Sequence, residues 1–207
     1  MASSGYRQLG AAAILCMATA CASSPATCQK GPSVQRPEET LVLKAINHGQ
    51  SGRDLAAAIF AGDQAAVRRL LSADSALRTT HVPPVAYPDF APDGQYGDLL
   101  TFAVARCDPA MIDVLLALGV PADGALPRSA LDLAIRSGQL HLAERLLKAG
   151  AQPDAQPGDR IVPMLSAGRT ADPEAARLLL YYRANPNWHD GTDTSILQSV
   201  VDMDAMR

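Results

Sequence analysis

The chain has 207 residues, 48% of them hydrophobic, enough to bury a core as one domain or two small ones. Aromatic residues make up only 4%, with Ala and Leu supplying most of the apolar mass, which favours short stacked helices over a β-sandwich built on Val, Tyr and Phe. A formal net charge of -3 offers no polycation to neutralise phosphates, so no nucleic-acid partner is expected.

In chain order, residues 1–20 read as a secretory leader: a short region containing Arg7, an apolar run from Ala11 to Ala20, then small residues at a cleavage point. The run is about half of the roughly 20 apolar residues needed to cross a bilayer as a helix, so a retained span is not expected. Ala18-Thr19-Ala20-Cys21 resembles the lipobox of bacterial lipoproteins, with Ala18 where that family usually has Leu. The resemblance implies cleavage before Cys21, a lipid on Cys21, and, with Ala22 next in the chain, a periplasmic protein held to the outer membrane. Ordinary cleavage at Ala18-x-Ala20 or Ala20-x-Ala22 would instead release a soluble protein into the same compartment. Residues 21–36, a Ser- and Pro-containing polar stretch, are expected to serve as a flexible tether.

The compartment permits a Cys28–Cys107 disulfide, although Cys28 lies in the tether and Cys107 in a predicted helix. No cysteine spacing resembles a zinc site, and His48, His81, His141 and His189 are scattered, so neither metal nor cofactor is expected. Residues 37–52 contain enough apolar side chains for one helix, placed to cap the N-terminal end of the domain that starts at Arg53.

From residue 53 the chain repeats itself. Blocks beginning at Arg53, Asp98, Ser129, Val162 and Thr194 are spaced 45, 31, 33 and 32 residues apart. Their third positions are Leu55, Leu100, Leu131, Met164 and Ile196, and their sixth are Ala58, Ala103, Ala134, Ala167 and Ser199. A second apolar helix comes after each of the first four blocks, with leucine pairs at Leu70-Leu71, Leu115-Leu116, Leu146-Leu147 and Leu179-Leu180. Each unit is therefore predicted as helix, tight turn, helix. One unit exposes too much apolar surface to stand alone, and stacking buries it.

These units resemble ankyrin repeats, most closely over Ser129–Ala155, with Val162-Pro163-Met164-Leu165 at the Thr-Pro-Leu-His position of the fourth. The resemblance implies an all-α ankyrin-repeat solenoid over 53–207, four repeats plus a partial fifth, working as a non-catalytic protein-binding module. No block keeps the full Thr-Pro-Leu-His, whose Thr and His hydrogen-bond in the family's first turn; Asp132, Leu165 and Leu197 stand at the His position. The final block reaches Arg207 near the start of its expected second helix, either as a capping helix or as a truncated repeat.

The 45-residue spacing carries an insertion over 81–97, whose prolines forbid a regular helix and whose Tyr87, Phe90 and Tyr96 are candidate contacts. They also offer the only candidate pocket for a small ligand, the alternative function. In the ankyrin register Arg106, Arg136 and Arg169 fall on the groove-facing ends of three successive first helices. There they form either a basic ladder for an acidic partner surface or ordinary solubilising charge. Trp188, with His189 beside it, is either an interface anchor on a loop or a cover for the last repeat. No G-x-S-x-G, H-E-x-x-H or phosphate-cradling glycine loop occurs, so no enzyme is expected.

Overall fold

The structure, a computed structural model, describes residues 39–83, 97–126, 129–154 and 162–188. The leader, the tether with Cys21, the three insertion aromatics Tyr87, Phe90 and Tyr96, His189 and the block from Thr194 lie outside these residues. Among the described residues there are nine α-helices. They are α1 (Glu39–Ala45), α2 (Gly49–Ala61), α3 (Gln64–Ala73), α4 (Leu99–Ala105), α5 (Pro109–Ala117), α6 (Ser129–Arg136), α7 (Leu140–Lys148), α8 (Pro163–Arg169) and α9 (Pro173–Tyr181). A 3₁₀ turn covers Ser75–Thr79, and extended pairing among the described residues is limited to an isolated antiparallel bridge between His81 and Asp98.

The helices form two layers. Inner helices α2, α4, α6 and α8 pack in succession, each also on its own outer partner, while α3 packs on α5 and α7 on α9. The small residues Ala58, Ala103, Ala134 and Ala167 are all buried between inner helices, which lets those short helices approach closely. Every residue of α4 is buried. Phe102, fully buried, lies with its ring 5.3 Å from that of Phe60 and joins the first inner helix to the second. On the outer layer Leu115, Leu146 and Leu179 are completely covered.

The turn between inner and outer helix repeats the same local chemistry. The residue just before each outer-helix cap has positive φ: Gly62 at 75°, Cys107 at 56°, Gly138 at 67° and Ala171 at 52°. Glycine adopts this region freely, whereas a side chain costs about 1–2 kcal/mol there. The next residue caps the outer helix: Asp63, Asp108 and Asp172 accept from the backbone N–H of Ala66, Met111 and Ala175 at 2.9, 2.9 and 3.1 Å. Each such cap stabilises its helix by about 1 kcal/mol. In the third unit Gln139 stands there and makes no side-chain cap.

Two sequence expectations change in detail. The first inner helix begins at Gly49, ahead of Arg53, and α1 packs directly against it. Cys107, expected inside a helix, occupies the turn after α4 and is disulfide-bonded. Its positive φ explains the difference, because the helix has already ended at Ala105.

Candidate recognition surface

The inner-helix ends and the loops between units both carry exposed residues. Arg106 comes directly after α4 and is exposed; its guanidinium reaches back over the preceding turn, where a Cβ added at Gly62 would lie 3.5 Å from Nη2. Arg169 ends α8 and is also exposed. Arg136 ends α6 but is half-buried, and its Nε donates to Asp132 Oδ2 at 2.7 Å. The three arginines therefore stand at successive helix ends, with the outer two open to solvent and the middle one neutralised by its own helix.

Asp132 is itself 4% exposed, so its remaining oxygen needs a donor. Ser166 on α8 supplies one, its hydroxyl donating to Asp132 Oδ1 at 2.5 Å. At the position where ankyrin repeats use His within one turn, this chain places an acid that reaches across to the next repeat.

The second unit solves the same problem differently. Asp98, 1% exposed, accepts from the Thr101 N–H and hydroxyl at 3.0 Å each through Oδ1. Its Oδ2 accepts from the Leu126 N–H at 3.0 Å, which draws the loop after α5 onto the first turn of α4. Burial pushes the Asp98 carboxyl above the ordinary carboxylate range, against the opposing pull of its donors at Leu126, Thr101 and Ala125. Gly124 allows the close approach: at φ 70°, a Cβ there would sit 1.8 Å from Asp98 Oδ2.

The loops are pinned to each other in the same manner. Asp123 Oδ1 accepts from the Gln152 N–H at 2.8 Å, and Asp154 Oδ1 accepts from the Asn185 N–H at 2.7 Å. Sequence reasoning overlooked this ladder, although its signal is present, since both aspartates stand four residues after a loop glycine, Gly119 and Gly150. The insertion is tied at its base by Val82 N–H donating to Gly97 O at 3.0 Å. A second tie runs from His81 N–H to Asn47 Oδ1 at 2.8 Å. Trp188 is half-buried against the edge of the core.

Among the described residues, no cluster of three or more His, Cys, Asp or Glu side chains is placed to hold a metal, and no helix is long and apolar enough to cross a membrane. Residues 128–157, which span α6, α7 and the loop that carries Asp154, match the family model of the ankyrin repeat. The fold is an all-α ankyrin-repeat solenoid. No curated protein matches the chain. The ankyrin repeat is a protein–protein interaction module.

Proposed function

We propose that this protein is an exported, non-catalytic binder that holds an acidic segment of another protein along the inner-helix ends, with Arg106 and Arg169 as its principal contacts. The observation that carries this is the exposure of those two arginines at matching ends of α4 and α8, in a frame whose loops are tied together by buried and bridging carboxylates. Their planar forks suit bidentate contacts to carboxylates. Arg136 is paired with Asp132 of its own helix and does not meet the partner as a free cation.

Export is supported by the apolar run from Ala11 to Ala20 and by the disulfide at Cys107, because disulfides persist in oxidising compartments. In this reading Cys21 carries the lipid and anchors the stack to the outer membrane on its periplasmic side. Intact-mass analysis of membrane and soluble fractions tests it. A membrane species beginning at Cys21 with diacylglyceryl and acyl mass is expected, and an unmodified soluble species would contradict it.

The binding role is tested with the partner recovered from the native envelope by cross-linking at Arg169. Arg106→Glu and Arg169→Glu should each weaken binding about tenfold, about 1.4 kcal/mol, with the loss shrinking at high salt. Unchanged affinity in both variants would remove the groove edge as the site.

A further inference from the structure

Arg136 differs from the arginines on either side of it in how it is held. Asp132, one turn earlier on α6, accepts its Nε–H at 2.7 Å and is itself buried. The other Asp132 oxygen accepts the Ser166 hydroxyl from α8, so both oxygens of this carboxylate are engaged and its plane is set by two helices. The ion pairs Arg145–Asp113, Lys148–Glu144 and Arg177–Glu174 have side chains 40% exposed or more and carry no such restraint. Arg106 and Arg169 are exposed and have no carboxylate partner among the described residues.

Only one side of the Arg136 guanidinium is used. Its two Nη groups have no partner among the described residues, yet they are not buried, so they face solvent while Nε is held. Arg136 thus offers two N–H donors in a fixed direction from a pair whose charges cancel. A further carboxylate gains little there, because Asp132 repels it. An uncharged acceptor fits better, and every peptide carbonyl is one. A helical partner has already spent its carbonyls on its own backbone, whereas an extended segment has them free.

We propose that Arg136 is the specificity-determining contact of the groove edge, donating its Nη groups to main-chain carbonyls of an extended partner segment whose acidic side chains meet Arg106 and Arg169 on either side. Asp132 and Ser166 are its positioning residues. This rests on the groove-edge reading above and adds the conformation that the partner must have. Helix α4 packs on α6 and α6 on α8, so two steps of about 8–10 Å separate the outer arginines. A strand rising about 3.3 Å per residue covers that span in about five or six residues. Arg136, already held, gives up little side-chain freedom on binding, unlike its neighbours.

The test titrates the full chain, labelled for arginine side-chain NMR, with the acetylated and amidated peptide Glu-Ser-Thr-Ser-Thr-Glu. The peptide is expected to shift the guanidinium signals of Arg106, Arg136 and Arg169, and the same peptide stapled as a helix should leave Arg136 unshifted. Arg136→Lys keeps a charge beside Asp132 but not the paired donors, and should weaken binding about fivefold, the loss of an uncharged hydrogen-bonded contact. That factor should be the same at low and high salt, whereas the loss from Arg106→Gln should shrink at high salt. Ser166→Ala, which leaves the arginine itself in place, should lower affinity in the same salt-independent way. The proposal alone is overturned if Arg136→Lys binds as the wild type does, if its loss shrinks with salt, if Ser166→Ala changes nothing, or if the helical peptide binds equally well. No binding, or no shift at Arg106 and Arg169, overturns the groove-edge reading and the proposal with it.

Discussion

The third and fourth repeats share one plan, and they differ in what lies on either side. Helices α6 and α7 sit between neighbours in both directions, with Leu146 and Leu147 both buried. Helices α8 and α9 carry the same leucine pair, yet Leu179 is fully covered while Leu180 stands 45% exposed. The same residue type in the same register is core in one repeat and surface in the next. Stability in such a stack belongs to the junctions as much as to the repeats.

The largest expected effect tests that contrast directly. Leu147→Ala should cost about 2–5 kcal/mol, the range for a buried leucine, while Leu180→Ala should cost less than about 1 kcal/mol. Urea denaturation of both variants measures the difference, and equal losses would break the comparison. Next come the polar junctions. Asp98→Ala leaves the Leu126 and Thr101 donors without their carboxylate in a buried site, a loss of about 2–3 kcal/mol. Ser166→Ala removes one donor to Asp132 and should cost about 1–2 kcal/mol by the same denaturation experiment. The smallest change is a gain: Ala171→Gly relieves a side chain held at φ 52° and should stabilise the fourth repeat by up to about 1 kcal/mol.

Asp98 also sets a pH dependence of known sign. Its carboxyl lies above the ordinary value of 3.8 in the folded chain, so through that window the folded state binds more protons than the unfolded one. The stability it contributes is present below 3.8 and is lost as pH rises through the folded value. Urea midpoints measured from acid to neutral pH should therefore move against the wild type, relative to Asp98→Asn, as pH increases. Movement in the opposite direction would mean that the donors at Leu126 and Thr101 outweigh burial.

The repeat blocks, the leucine pairs and the small residues at the sixth positions made the layered helical stack legible in the sequence, because each is a local pattern with a period. The cross-repeat polar contacts were not legible. Asp132 reads as a departure from the ankyrin pattern until Ser166, 34 residues away in sequence, is seen beside it. Asp98 reads as a helix cap, and only the fold brings Leu126 and Gly124 against it. Of the candidate site, the sequence located the three arginines at helix ends; the pairing of Arg136 was overlooked although Asp132 stands four residues before it on the same helix, a spacing that brings the two side chains together. The turn position of Cys107 was missed because its neighbours Ala105 and Arg106 favour helix, while the recurring positive φ at that register ends it.

Amide hydrogen exchange on the full chain tests the central claim most directly, namely that neighbouring repeats hold each other. The account predicts that α4 through α7 exchange slowly and together, and that α9 exchanges fastest among the outer helices beyond α3. Uniform protection from α4 to α9, or protection greatest in α9, would contradict it.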